Sequence, residues 1–211
     1  LVTDLKLGAV DEILPLLEQV MATGKRELVI IADDITGECL NTFIVNKLRG
    51  AVTILGIKAP GFGLRKKDYL EDISVITGAR FISSDLDKNL SNVKLEDLGQ
   101  ADRVVSTKDK TVIIGGKGKK EDIDARIASA KKEIEGLQSQ HDILKVEERI
   151  ARMTGGVAII KVGSATETET KYLKLKVEDA VSAVKSALEE GVVPGGGSSL
   201  IGAAKAVLEA K

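Results

Sequence analysis

The sequence of 211 residues predicts an α/β fold, with buried β-strands flanked by helices and a helical extension at its C-terminal end. Two observations carry that expectation. Short, β-branched apolar runs alternate with segments whose apolar residues recur every three to four positions, and past residue 163 only the helical period remains. Composition adds a third. Apolar residues make up 43% of the chain but aromatic ones only 2%, so the core must be aliphatic, and a chain of this length can bury roughly 70% of its unfolded surface.

From residue 11 to 23, Ile13, Leu14, Leu17, Val20 and Met21 follow Val10 at helical spacing, with Gly24 as the stop. Pro15 must then lie in the first turn, where its missing N–H costs nothing. Glu27 to Ala32 reads as a parallel strand buried on both faces. A helix over 37–49 ends at Gly50, and Val52 to Lys58 reads as a second buried strand. Ala59-Pro60-Gly61-Phe62-Gly63 breaks the chain, a helix follows over 65–77, and a short strand over 80–83. Residues 85–100 are polar and weakly patterned. Strands over 103–107 and 111–114 flank a Lys-Asp-Lys turn and predict a hairpin. Residues 120–153 read as two helices broken near 139–142. A strand over 156–162 is flanked by Gly155 and Gly163, placing a domain border near 155. A helix over 173–190, a glycine turn over 191–197 and a helix from Ser198 complete the chain.

Charge narrows the function classes. The 31 basic and 32 acidic residues nearly cancel, so no net field draws the chain to nucleic acid or an anionic membrane, and stacking platforms for single strands are few. Neither nucleic acid nor membrane is expected as a partner. Cys39 has no disulfide partner, and His141 is the single histidine, so no soft zinc site is expected. A reducing, cytoplasmic setting fits, with an organelle matrix as the alternative. No apolar run reaches the roughly 20 residues of a membrane-spanning helix. The chain opens without Met and without a leader pattern, and it stops inside a helical pattern, which reads as a piece of a longer protein.

Six blocks in fixed order carry a resemblance: residues 45–50 (VNKLRG), 58–63 (KAPGFG), 95–99 (LEDLG), 155–163 (GGVAIIKVG), 176–180 (KVEDA) and 189–197 (EEGVVPGGG). Together they resemble the group I, GroEL-type chaperonins along essentially the whole chain. The resemblance implies most of an apical, polypeptide-binding domain over 1–156, an intermediate hinge segment over 157–190, and the start of an equatorial ATPase segment over 191–211. It also implies a homo-oligomeric ring, non-native polypeptides and a GroES-type co-chaperonin as partners, and ATP with Mg²⁺ in the full-length protein. None of the nucleotide is expected on this piece alone, because most of the pocket lies in other parts of the family's chain.

By resemblance, the binding surface comprises Leu14, Leu17 and Met21 on one helix and Leu40, Ile44 and Val45 on the next, as two apolar rows beside a groove. An apolar stripe ordinarily faces a core. On the second helix, however, Cys39, Leu40, Phe43, Ile44, Val45 and Leu48 cover more than one stripe of roughly 100° can hold, so some should stay exposed and mark an interaction site. Glu18, Glu38 and Arg49 edge the same helices.

Asp179 matches the family's carboxylate that positions water and metal for γ-phosphate hydrolysis, making it the catalytic candidate. Gly195, Gly196 and Gly197 precede a helix and are the cofactor-binding candidates. Gly155, Gly156 and Gly191 match the hinges. Glu167 matches a carboxylate that pairs with a neighbouring subunit, while Thr170, Tyr172, Lys176, Ser186 and Pro194 depart from the family's usual residues. Residues 115–120 (GGKGKK) lack the spacing and final Ser or Thr of a P-loop and read as a loop before a helix. Two other functions compete: a paralogue that assembles as a scaffold without folding activity, and a small-molecule α/β enzyme whose glycine turns bind phosphate.

Overall fold

A computed structural model describes residues 1–86, 90–108, 110–155, 158 and 160–209. The chain divides into two units, Leu1–Val157 and Ala158–Lys211.

The first unit is built on a parallel sheet. Its strands are β1 (Val2–Thr3), β3 (Glu27–Ala32), β5 (Thr53–Lys58) and β6 (Phe81–Ile82), in the order β5-β3-β1-β6. All three pairings are parallel, with Val2 opposite both Ile31 and Phe81, and Glu27 opposite Thr53. Two-residue strands β2 (Lys6–Leu7) and β4 (Asp34–Ile35) pair beside it. The connections are α1 (Leu14–Ala22), α2 (Gly37–Leu48) and α3 (Leu64–Thr77), the crossovers that parallel strands require.

Alternation along β3 sorts the helices onto two faces. Leu28, Ile30 and Ala32 join a core with Ile13, Leu16, Leu17 and Val20 of the α1 segment and Cys39 and Phe43 of α2. Ile31 turns the other way and packs with Val2, Ala59 and Leu70 of α3, with Val29 beside them. Pro15 lies in the first turn of α1, as its chemistry demands. At the end of α3, Gly78 takes φ 72°, a left-handed cap that a side chain would strain.

After three short 3₁₀ turns, β7 (Ala101–Ser106) and β8 (Thr111–Gly116) form the expected antiparallel hairpin. Next come α4 (Lys120–Gly136) and α5 (Gln140–Thr154), which bury Ile127, Ala130, Val146 and Met153 together. One charged cluster ties this helical pair to α3. Asp72, buried, accepts hydrogen bonds from Arg149 Nε at 2.8 Å and Nη2 at 3.2 Å and from Arg126 Nε at 2.8 Å. Asp68, Glu71 and Glu133 surround the two guanidinium groups.

The second unit contains α6 (Glu167–Glu190) and α7 (Ser198–Glu209). Thr166 caps α6, its hydroxyl accepting from the Glu169 N–H at 3.2 Å. Lys171–Glu167 at 2.8 Å and Lys174–Glu178 at 3.8 Å add pairs one turn apart.

Three sequence expectations need correction. The strand over 52–58 sits at the sheet's edge and is half-exposed, not buried on both faces. The described residues of the strand expected over 156–162 (158 and 160–162) are not in a strand, and the second unit has no described strand to hydrogen-bond with. Helix α6 starts six residues before the expected Leu173, because its first turns are held by capping and charge instead of apolar residues.

Candidate functional site

Helices α1 and α2 share one core and turn other faces to solvent. On α1, Leu16, Leu17 and Val20 form the buried stripe, continued from Ile13. Leu14, Glu18 and Met21, spaced at four and three residues, form the opposite one. Only Cys39 and Phe43 of α2 are buried, so this 12-residue helix touches the core along a narrow line. Burial also pushes the Cys39 thiol up from its ordinary value of 9.0, with Glu12 and Glu38 adding to the shift.

Five of the six residues expected on the binding surface lie open to solvent: Leu14, Met21, Leu40, Ile44 and Val45 are each between 42% and 50% exposed. Leu17 does not join them. It is 4% exposed and packed in the core, since the face running through Ile13, Leu16 and Val20 already includes its position. Helical spacing linked Leu17 to Leu14, but the residues between decide which side of the stripe is covered. Leu48 is open as well, at 82%. It was legible only as surplus apolar residue on an overfilled helix.

The cleft that α2 borders is not formed with α1. It has a volume of about 310 Å³ and is lined by Leu40, Phe43, Ile44 and Lys47 of α2, Asp34 and Ile35 of β4, and Ile54, Gly56 and Lys58 of β5. Lys58 Nζ stands 3.8 Å from Asp34. Nearby, Lys66 holds the Asp33 carboxyl below its ordinary value through a direct hydrogen bond. Asp33 and Asp34 are thus each met by a lysine, and the cleft's remaining lining is apolar apart from Lys47 at its α2 side.

In the second unit, Asp179 is exposed on α6. The Gly195–Gly197 turn precedes α7, with Gly196 at φ 65° and Gly197 at φ 81°. The Ser198 N–H is bonded to Gly195 O at 3.3 Å, and the Ser198 and Ser199 hydroxyls donate to the carbonyls of Gly195 and Pro194 at 2.7 and 2.6 Å. Side chains placed on the three glycines would meet nothing within 4 Å. Among the described residues no group of three or more His, Cys, Asp or Glu could hold a metal ion. One carboxylate and an open turn are too few donors to hold a nucleotide with its metal, so these residues alone do not fit the group.

Of the hinge candidates, Gly155 ends α5, its N–H bonded to Ala151 O at 2.8 Å, and Gly191 ends α6 at φ 83°. Gly156 lies outside the described residues. Glu167 pairs with Lys171, and Lys176 lies over the Tyr172 ring at 4.9 Å. Of the stretch expected as a loop over 115–120, Gly115 and Gly116 instead end β8, and Gly118 is held by packing, its N–H donating to Ile76 O at 2.8 Å against the end of α3.

The sequence model of the TCP-1/cpn60 chaperonin family matches residues 5–211. Among solved structures, the chain is similar to the chaperonin gp146 from the bacteriophage EL 2 (Pseudomonas aeruginosa), crystallised in the presence of ATP-BeFx. In crystal form II the identity is 22% and the TM-score 0.59, covering 94% of this chain and 39% of the phage protein. In crystal form I the identity is again 22%, the TM-score 0.47, and the coverage 95% and 39%. The chain thus spans 39% of the length of the phage protein it matches, and this likeness bears on the fold.

Proposed function

This chain belongs to the TCP-1/cpn60 chaperonin family, and from that premise we propose that its first unit binds non-native polypeptides through aliphatic side chains on α1 and α2. One observation carries the reading: Leu14, Met21, Leu40, Ile44 and Val45 are all open to solvent on helices whose opposite faces are anchored in a single core. Such a surface can be covered without unfolding anything. Each side chain is already about half covered, so burying the rest contributes on the order of 1 kcal/mol, before ordering costs. Several weak, non-directional contacts of this kind suit clients that share no sequence. Met21 adds a flexible thioether to the patch, and Leu17 supports it from beneath.

The same reading extends to the longer protein. There residues 1–156 form most of the apical domain, 157–190 a hinge segment and 191–211 the start of the equatorial segment of a homo-oligomeric ring of the group I type, which engages a GroES-type co-chaperonin and promotes folding in the cytoplasm or an organelle matrix. In that assembly ATP, with Mg²⁺, supplies the energy for the working cycle. Asp179 and the Gly195–Gly197 turn contribute a carboxylate and backbone N–H groups to a nucleotide site completed by other parts of the protein. Gly155, Gly156 and Gly191 are the hinge positions.

The test is calorimetric titration of a permanently unfolded protein into the chain and into its Leu40→Glu and Ile44→Ser variants. Both positions are half-exposed, so the far-ultraviolet spectrum and urea midpoint should stay at wild-type values while affinity falls about tenfold or more. A folded variant that binds as tightly as wild type would remove these residues from the site.

A further inference from the structure

The cleft beside α2 has a property that an aliphatic patch alone lacks, because one wall is the edge of a sheet. Strand β5 ends the order β5-β3-β1-β6 and pairs only with β3 among the described residues. The Thr53 N–H donates to Arg26 O and the Ala59 N–H to Ala32 O, both at 2.7 Å, so the odd-numbered residues of this stretch face β3. Backbone groups alternate between the two edges of a strand, which turns the N–H and C=O of Ile54, Gly56 and Lys58 away from β3; of these residues Gly56 and Lys58 are exposed and Ile54 is buried in the core. No described strand pairs with them. These are the three β5 residues that line the cleft, opposite Leu40 and Ile44.

We propose that this cleft receives its polypeptide as an added strand: an extended segment with alternating apolar residues pairs with the outer edge of β5 and places those residues against Leu40 and Ile44. The spacing fits. Leu40 and Ile44 lie about 6 Å apart along the helix axis, and alternate residues of a strand repeat every 6.4–6.8 Å or so. Gly56 leaves the middle of the edge without a side chain, and a Cβ there would come within 2.7 Å of Ile35 Cδ1. Main-chain pairing reads no sequence, while the aliphatic wall asks only for apolar residues at every second position. The occupant is therefore an extended, aliphatic-rich segment, of the kind that an unfolded chain exposes and a folded one conceals. This inference rests on the polypeptide-binding reading above and specifies its geometry.

The probe is a synthetic octapeptide of alternating Leu and Thr, compared with its fully backbone N-methylated counterpart, both titrated into the complete chain. Amide hydrogen exchange is followed in parallel at residues 53–58. Strand addition predicts that the methylated peptide binds at least about tenfold more weakly and that the plain peptide slows exchange at Gly56 and Lys58 by about tenfold or more. Thr53, Leu55 and Ile57, already facing β3, should change little. Equal binding of the two peptides with unchanged Gly56 and Lys58 exchange would overturn strand addition while leaving apolar docking in place. If neither peptide bound, the polypeptide-binding reading would fall as well. Concentration-dependent protection of Gly56 and Lys58 without peptide would mean that a second copy covers the edge, and would also overturn the proposal.

Discussion

The two units carry similar amounts of apolar sequence in their helices and use it in opposite ways. In residues 1–157, the helices α1 to α5 set aliphatic faces against a sheet or against one another, giving three clusters of buried residues. In residues 158–211, none of the described residues is buried, and Leu175, Val184, Leu188, Leu200, Ile201 and Leu208 all stand open although α6 and α7 are regular helices. Periodicity makes a helix amphipathic, but it does not supply what covers the apolar face. The first unit supplies its own cover through sheet and hairpin. Helices α1 and α2 sit between these extremes, each anchored on one side and open on the other.

The largest effect expected within the first unit comes from Asp72. Asp72→Ala removes the one buried carboxylate that joins Arg126 and Arg149, leaving the buried Arg149 guanidinium with only the longer contacts to Glu133 at 3.4 Å and Asp68 at 3.6 Å, at a cost approaching the roughly 3–5 kcal/mol of a broken buried pair. A urea titration should register that loss as a lower midpoint for the whole unit; a midpoint unchanged from wild type would mean that the surrounding carboxylates and apolar packing hold the three helices without Asp72. Next comes a matched pair on α1. Leu17→Ala should cost about 2–5 kcal/mol, as a core cavity does, whereas Leu14→Ala should stay within about 0.5 kcal/mol. Equal costs would erase the distinction between the two faces of that helix.

Deleting residues 158–211 should shift the urea midpoint of the first unit by no more than the equivalent of about 0.5 kcal/mol, since its three buried clusters are composed of its own described residues. A collapse of the truncated protein would instead place part of its stability in the second unit. The smallest effect is electrostatic. Lys66 depresses the Asp33 carboxyl below the ordinary 3.8, so the folded chain gives up this proton more readily than the unfolded chain does. Its contribution is complete above that value and is lost as pH falls through the lowered one. Lys66→Met should remove this part of the acid sensitivity in urea midpoints measured between about pH 5 and 2.

Much of this architecture was legible in the sequence because local patterns settle local structure. Glu27–Ala32 reads directly as a strand, Gly24 and Gly50 mark helix ends, and the excess of apolar residues on α2 announces an exposed set. β1, β2 and β4 were not legible: two residues cannot show a period, and β1 lies inside the sheet only because β3 and β6 flank it. The edge position of β5 was equally hidden, since an apolar run looks the same whether one or two strands flank it.

The sequence by itself determined the alternating α/β order, the aliphatic character of the core and the surplus of apolar side chains on α2, because propensity, periodicity and glycine punctuation act over a few residues. Only the tertiary structure decided that Leu17 goes inward while Leu14 stays out, that Asp72 gathers two arginines from helices far along the chain, and that β5, beside Leu40 and Ile44, pairs with β3 alone among the described residues. Each of those outcomes depends on which surfaces meet at long range, and burial is a property of the pair of surfaces, not of either one.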